Sequence, residues 1–158
     1  VNTVANAGEY VSPSLIQGGV KTTAGTKVGT ATSTRHQVIS DAAAQKMARM
    51  MEMVTDEQLG TAPGARVPGY RVAGKTGTAQ RVGAKCGCYD GTFTVSFAGF
   101  APADSPEFTV YVVIQNPRNG GGGGSIGGPA FSKIMRYLLS RYGVTPTETP
   151  AAHLPIRW

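Results

Sequence analysis

Hydrophobic side chains recur along this chain with two different periods, and the change of period separates predicted helices from predicted strands. Between residues 41 and 54 the apolar residues are three and four positions apart, which is typical of an amphipathic helix. The predicted apolar stripe and its polar flank are Ala43, Met47, Met50, Met51 and Val54, and Lys46, Arg49 and Glu52. Ser40 suits the N-cap, and Asp41 suits the positive end of the helix dipole. A methionine-rich stripe also suits a partner groove, but we interpret it as core packing.

A second helix with the same period is predicted near the end of the chain. Pro129 suits its first turn, and Gly143 suits its termination. Its predicted apolar stripe is Phe131, Ile134, Met135, Leu138, Leu139 and Tyr142. Residues 1–8 have the pattern of the last turns of another helix, with Gly8 as its stop.

Three strands are predicted between these helices, and they define the fold class. One surrounds Lys75, a second covers residues 92–101, and the third is Phe108–Gln115. The third strand is apolar at almost every position, so we expect it to be central and covered on both faces. Short connections favour an antiparallel meander. Together with the helices this predicts an α+β domain, an antiparallel sheet covered by helices.

The remaining segments are rich in glycine, proline and threonine, which indicates loops. The predicted segments are an extended edge at 10–16, a loop with one weak hairpin at 18–35, a short strand at 35–39, and loops at 60–68 and 81–91. Five consecutive glycines at 120–124 suit a flexible connection or, alternatively, a loop at the rim of a site.

Composition limits the possible functions. The chain has 158 residues, 41% of them hydrophobic, which is enough for a packed core. Its net charge is +6, but the basic residues are scattered and are not interleaved with aromatic ones. This pattern argues against a nucleic-acid interface. No apolar run reaches the roughly 18 residues of a membrane span, and the chain has no initiator Met or signal peptide, so we expect it to begin within a structure.

Lys75 is the residue on which the candidate chemistry depends. Residues 69–76 match the phosphate-loop pattern, Gly, four residues, Gly, Lys and Thr. That motif needs a buried strand before it and a helix that begins at the lysine. The preceding Ala, Pro and Gly residues do not make a buried strand, and Gly77 is a poor helix former. We therefore predict that Lys75 lies on a strand and does not bind a nucleotide.

The surroundings of Lys75 carry a more specific likeness. Residues 67–79 read Val-Pro-Gly-Tyr-Arg-Val-Ala-Gly-Lys-Thr-Gly-Thr-Ala, which closely resembles the third motif region of class B penicillin-binding proteins. The segments at 5–13, 97–102 and 127–135 resemble other parts of that family in the same order. The resemblance covers residues 1–142 and is greatest to the cell-division transpeptidases of actinobacteria.

The resemblance implies a penicillin-binding and serine β-lactamase-like fold and a role for each motif residue. An acyl-donor peptide, or a β-lactam that mimics it, would add along the strand as an extra strand. The hydroxyls of Thr76 and Thr78 would bind its carboxylate, and Lys75 would supply positive charge. Gly77 would let the ligand approach, and the N–H of Thr78 would form half of an oxyanion hole.

The family's nucleophile is not found in this sequence. No serine has Lys three residues later or Asn two residues later, as the family's Ser-x-x-Lys and Ser-x-Asn motifs require. We therefore interpret residues 1–143 as the C-terminal portion of a transpeptidase domain whose N-terminal half carries the nucleophile. Residues 144–158 form a Pro- and Thr-rich tail, which we expect to dock through Leu154, Ile156 and Trp158. The alternative is a non-catalytic scaffold for cell-wall or division proteins.

The resemblance also implies partners and a location. Stem peptides of peptidoglycan and β-lactams are the expected ligands, division membrane proteins are possible partners, and no nucleic acid is expected. The chain would lie on the extracytoplasmic face of the membrane, anchored by a segment outside this sequence. No cofactor or metal is expected, since His36 and His153 are isolated. For Cys86 and Cys88, a disulfide, two free thiols and metal binding all stay open.

Overall fold

The structure is a computed structural model that describes residues 1–84, 86–118, 120–147 and 149–155. In these residues the α-helices are Asn2–Ala5 (α1), Asp41–Glu52 (α2) and Gly128–Arg141 (α3). The strands are Glu9–Val11 (β1), Val20–Lys21 (β2), Lys27–Val28 (β3), Arg35–Gln37 (β4), Ala73–Val82 (β5), Tyr89–Ala101 (β6) and Phe108–Gln115 (β7). Short 3-10 turns occur at Thr30–Thr32, Met53–Thr55 and Pro63–Ala65, and a π-helical turn at Gly123–Gly127.

The main sheet consists of β5, β6 and β7 in that order, and all neighbours are antiparallel. The predicted meander is therefore confirmed. Lys75 on β5 lies opposite Ala98 on β6, which lies opposite Tyr111 on β7. The β5–β6 hairpin is tighter than predicted, because β5 continues to Val82 and β6 begins at Tyr89.

Helices cover both faces of this sheet, which confirms the α+β class. On one face Phe97 packs against Phe131 of α3, with ring centroids 4.8 Å apart. On the other face Phe100 packs against Ala48 and Met51 of α2, and α1 contributes partly buried residues. Each fully buried side chain of this size contributes about 1.5–3 kcal/mol to folding. A side chain at Gly74 would overlap the ring of Phe97, so the glycine at this position of β5 leaves the space that this ring occupies in the core.

The predicted apolar stripe is wrong for most of α2. Of its members, only Met51 is buried, and Val54, just after the helix, is partly buried against the core. Ala44, Ala48 and Met51 are buried, whereas Met47 is 44% exposed and Met50 is 58% exposed. Small side chains face the sheet and α1, because a helix at close range leaves no room for longer ones. Hydropathy alone predicts that the methionines are buried, but at positions 44 and 48 the space between α2 and the sheet accommodates only the smaller alanines. The predicted N-cap is confirmed, since the hydroxyl of Ser40 accepts a hydrogen bond from the N–H of Ala43 at 3.3 Å.

The predicted central position of β7 is also wrong. Within the described residues β7 is an edge strand, and β6 is the central one. Alternate side chains of β7 are half-buried under α3, whereas Tyr111 is 66% exposed and Val113 is 44% exposed. The face of the sheet that carries Tyr111 extends beyond the area that α1 and α2 cover.

The other elements agree with their predictions in outline. In α3, Phe131, Met135 and Leu139 are fully buried, although Ile134 and Tyr142 are exposed. The helix ends at Arg141, and Gly143 follows in the left-handed region with a φ of 64°. The weak hairpin is formed by β2 and β3, and β1 pairs with β4.

None of the helices within the described ranges has the length and hydropathy needed to cross a lipid bilayer. The predicted docking of the tail through Ile156 and Trp158 concerns residues outside the described ones, whereas Leu154 is half-buried. The boundary between residues 143 and 144 stays a prediction.

Candidate active site

The four motif residues lie on β5, and the pleat of the strand divides them between two faces of the sheet. Thr76 lies opposite Phe97, on the face that α3 covers, and Thr78 points the same way. Lys75 and Gly77 face the side of α2. The position of Lys75 inside a strand excludes the phosphate-loop alternative, which needs a helix at the lysine.

The outer edge of β5 carries backbone groups that do not pair with β6. The Val72 carbonyl accepts a hydrogen bond from the Thr55 hydroxyl at 3.0 Å, and the Thr76 carbonyl accepts one from Lys75 Nζ at 2.8 Å. Backbone groups alternate in direction along an antiparallel strand, so the N–H and C=O of Thr78 also point away from β6. In the described part of the chain β6 is the only strand that pairs with β5, which leaves this edge open beside Thr76 and Thr78.

The side chain of Lys75 is exposed and turns around the open edge of β5. Its Nζ atom lies 2.8 Å from the Thr76 carbonyl oxygen and 3.4 Å from the Thr76 hydroxyl oxygen. The ammonium therefore reaches the threonine side of the strand although its Cβ is on the other face. No ion pair among the described residues involves Lys75, so its charge is free to attract an anion.

The glycine-rich segment packs beside Thr78. The N–H of Gly123 donates to the Thr78 hydroxyl at 3.4 Å. A Cβ atom on Gly123 would overlap the Ser96 carbonyl oxygen and lie 2.6 Å from the carbonyl oxygen of Gly77. Gly123 in the glycine run and Gly127 just after it are buried, so this end of the segment is a packed turn, whereas Gly120 and Gly121 are exposed. A cavity of about 490 Å³ lies next to it, lined by Thr78, Thr92, Phe93, Asn116, Pro117 and Gly120–Gly122.

A disulfide and a set of side-chain hydrogen bonds stabilise the β5–β6 hairpin that follows the motif. Cys86 and Cys88 form a disulfide, with their Cα atoms 5.1 Å apart, which decides between the alternatives left open by the sequence. Asp90 accepts hydrogen bonds from the hydroxyl and the N–H of Thr92, and these bonds lower the pKa of its carboxyl group. Among the described residues, no three His, Cys, Asp or Glu side chains converge as a metal site would require.

A buried ion pair that the sequence did not predict lies next to the motif. Arg71 binds Glu52 through two hydrogen bonds, from Nε at 2.8 Å and from Nη2 at 2.7 Å. The Glu52 side chain is only 3% exposed, and its hydrogen bond raises the pKa of Arg71. One signal was present in the sequence: Glu52 follows Ala44 and Ala48 at intervals of four, so it shares their buried face.

Comparison with known proteins identifies the family of this chain. A family model described as the penicillin binding protein transpeptidase domain matches residues 1–136. The chain belongs to the penicillin-binding protein transpeptidase family. The predicted resemblance is thereby confirmed for most of the chain, and its relatives are of the class B type that includes PbpB and FtsI.

Individual members of the penicillin-binding transpeptidase family show the same likeness. Penicillin-binding protein PbpB of Mycolicibacterium smegmatis is 36% identical over 98% of this chain. Stage V sporulation protein D of Bacillus subtilis is 44% identical over 72% of it. A crystal structure of penicillin binding protein 3 from Mycobacterium tuberculosis, complexed with aztreonam, superposes with a TM-score of 0.78 and 32% identity, and covers 98% of this chain.

The chain spans only a part of these relatives. It corresponds to 25% of the length of the M. smegmatis protein, 17% of the B. subtilis protein and 36% of the M. tuberculosis structure. The roles of Lys75, Thr76, Gly77 and Thr78 stay predictions.

Proposed function

We propose that this chain supplies the ligand-binding strand of a peptidoglycan D,D-transpeptidase. The observation that supports this most is the open edge of β5, where the ammonium of Lys75 contacts the carbonyl and hydroxyl oxygens of Thr76 and where Thr78 lies two residues further along. An edge of this kind can accept an extended peptide as an additional strand, and the adjacent positive charge suits a terminal carboxylate. Aztreonam and ampicillin are bound by the similar M. tuberculosis protein.

The proposed reaction is an acyl transfer in two steps. A serine hydroxyl attacks the carbonyl carbon between the two terminal D-Ala residues of a donor stem peptide. The C–N bond breaks, the last D-Ala leaves with a proton on its amine, and an acyl-serine ester forms. An amine of a neighbouring stem peptide then attacks the ester, forms the crosslinking amide and returns the proton to the serine. A β-lactam would form the same ester without a departing group.

This chain's residues would act on the substrate and on the developing negative charge. The hydroxyls of Thr76 and Thr78 would bind the carboxylate, and Lys75 would hold it by charge. The N–H of Thr78 would donate to the oxyanion, together with the N–H of the nucleophile. Since no serine here stands in a Ser-x-x-Lys motif, the nucleophile would come from residues outside this sequence.

The same proposal includes a location and partners. A cell-wall transpeptidase meets its substrate outside the cytoplasm, so we place this chain on the extracytoplasmic face of the membrane, with an anchor supplied by other residues. A disulfide at Cys86 and Cys88 suits that oxidising location. The N-terminal half of the domain and division membrane proteins would be the partners.

The experiment is acylation of the full-length protein by a fluorescent penicillin, with the label read on a denaturing gel. Lys75→Ala should lower the acylation rate about 100- to 1000-fold, because it removes the charge that holds the carboxylate. The matched control is Lys133→Ala, an exposed lysine on α3. It should react like the parent protein.

Two outcomes would contradict the proposal. Equal acylation rates for Lys75→Ala and the parent would remove the role given to Lys75. A parent protein that takes no label would favour the alternative of a non-catalytic scaffold.

A further inference from the structure

The segment that follows α3 runs back across the residues that immediately precede β5. The hydroxyl of Tyr70 donates to the Val144 carbonyl at 2.6 Å, and the N–H of Thr147 donates to the Gly69 carbonyl at 2.9 Å. We call residues 144–147 and 149–152 the strap. These contacts hold the strap on the residues that immediately precede the ligand-binding strand.

Two threonines of the strap connect Arg71 to Asp104, one at the backbone N–H of Arg71 and the other at its guanidinium. The Thr147 hydroxyl accepts a hydrogen bond from the backbone N–H of Arg71 at 3.4 Å and donates to Asp104 Oδ1 at 3.2 Å. The Thr149 hydroxyl accepts from Arg71 Nη1 at 3.0 Å and donates to Asp104 Oδ2 at 3.2 Å. Each hydroxyl therefore uses its one proton on the carboxylate and a lone pair on the arginine.

The strap also contacts the buried partner of Arg71. The N–H of Ala152 donates to Glu52 Oε2 at 3.2 Å, the same oxygen that Arg71 Nε binds. Arg71 thus bonds Glu52 at the end of α2. It is linked to Asp104 in the β6–β7 turn through the two threonines of the strap and by a direct ion pair, with Nη1 3.9 Å from Oδ2. Three separate parts of the fold converge on one guanidinium.

This network fixes the start of β5 in space. Arg71 is four residues before Lys75, and its carbonyl accepts a hydrogen bond from the N–H of Ala103 at 2.9 Å. Beyond Val72, whose carbonyl binds Thr55, the outer edge of β5 has no strand partner among the described residues. The position of the motif therefore depends on the hydrogen bonds between β5 and β6 and on the contacts that hold Arg71 and Val72, the two residues before β5.

We propose that the strap, acting through Arg71, positions the strand of Lys75 and Thr78 for its ligand. The inference rests on the proposed function, because it concerns how fast the ligand on that strand reacts. Arg71, Thr147 and Thr149 are positioning residues, which act through the strand and not on the ligand. A displacement of the ligand strand by a fraction of an ångström is enough to slow an acyl transfer between well-oriented groups.

The test compares the double variants Thr147→Val/Thr149→Val and Thr147→Ser/Thr149→Ser in the full-length protein. Stopped-flow acylation by a fluorescent penicillin gives a limiting rate constant and the fraction of protein that reacts. The valine variant should lower the rate constant about five- to tenfold, because it lacks both bridging hydroxyls. The serine variant, which keeps them, should react at the parent rate. Thr145→Val, an exposed threonine of the strap, is the matched control and should also react normally.

The two measured quantities separate positioning from a role in stability alone. A strap that only stabilised the fold would lower the fraction that reacts and leave the rate constant of the folded protein unchanged, and that result would overturn the inference. If the valine double variant does not fold, Thr149→Val alone replaces it, since it keeps the Thr147 bridge, and the same criterion applies.

Failure of this inference differs from failure of the proposed function. If Lys75→Ala abolishes acylation while the valine variant keeps the parent rate constant, the proposed function stands and the positioning role is rejected. If the parent protein is not acylated, the proposed function fails and the inference falls with it.

Discussion

Lys75 and the two threonines that follow it lie on opposite faces of β5, because side chains alternate along a strand. Lys75 reaches Thr76 only because the long lysine side chain turns around the open edge, where Nζ lies 3.4 Å from the Thr76 hydroxyl. The polar groups of the motif are therefore presented at the outer edge of β5 and not on one face of the sheet. A shorter cation at this position would lie too far from the Thr76 hydroxyl.

Thr78 has two groups at this edge, and only one of them depends on its side chain. In the full-length protein, Thr78→Val should slow acylation by a fluorescent penicillin about three- to tenfold, much less than Lys75→Ala. The substitution removes one hydroxyl that is worth about 0.5–1.5 kcal/mol, while the backbone N–H stays. The measurement is the second-order acylation rate constant.

The control for this change is Thr109→Val, at an exposed threonine on β7, which lies at the opposite edge of the sheet. It should not alter the rate constant. A loss for Thr78→Val as large as that for Lys75→Ala would mean that the hydroxyl, and not the backbone N–H, is the essential group of this residue.

The glycine-rich turn before α3 is a packing element, and its composition follows from how closely it approaches the sheet. Gly123 lies against the backbone of Gly77 and Ser96, and Gly127 lies against Phe97. At both positions a Cβ atom would meet backbone or core atoms within 3.0 Å. The turn therefore approaches the motif strand this closely because both positions are glycine.

Gly123→Ala should destabilise the protein by about 1–3 kcal/mol, because the added methyl group would displace the turn from the motif strand. The hydrogen bond from Gly123 to the Thr78 hydroxyl would be lost with it, so acylation should slow as well. Urea denaturation of the full-length protein measures the first effect, and penicillin labelling measures the second.

Gly19→Ala is the matched control, because its new methyl group would make an ordinary 3.4 Å contact with the Cβ of Ala31 on the surface. It should leave both stability and acylation unchanged. Parent-like values for Gly123→Ala would show that the turn moves without cost and is not a support for the strand.

The molecule as a whole is a sheet with one well-covered face and one partly covered face. Under α3 the side chains of Phe97, Phe131 and Met135 are fully buried. On the other side, the outer face of α2 and the part of the sheet around Tyr111 are exposed. The chain spans 36% of the similar M. tuberculosis structure, and the proposed function assigns the nucleophile to further residues of the same domain.

The oxidation rates of Met47 and Met50 measure how much of the outer face of α2 is covered in the full-length protein. We expect Met47 and Met50, which are 44% and 58% exposed in this chain, to be shielded there by other residues of the domain. Their oxidation by peroxide should then be about tenfold slower than in urea, as judged by peptide mass spectrometry. Met135, which is fully buried under α3, provides the internal reference for a protected side chain. Oxidation of Met47 and Met50 at nearly the rate of the unfolded protein would show that α2 faces solvent.

The sequence predicted those features that depend on local chemistry. Ser40 caps α2, Gly143 follows the end of α3, and three strands form a meander, because capping, chain reversal and short connections act over a few residues. The motif around Lys75 also indicated the family, since a specific run of residues can be recognised from the sequence without knowledge of the fold. The burial of Glu52 was not predicted, because the methionine stripe placed Glu52 on the polar side of α2, and its pairing with Arg71, 19 residues away, has no local signal.

By itself, therefore, the sequence determined the elements, their order, the family and the residues that carry the candidate chemistry. Only the tertiary structure decided which side of each element is buried. Ala44 and Ala48 face the sheet in place of Met47, and β6 in place of β7 is central, because burial depends on the space between elements. It also decided that the strap, Glu52 and Asp104 meet at Arg71. Those contacts join residues far apart in the chain, and no local pattern specifies them.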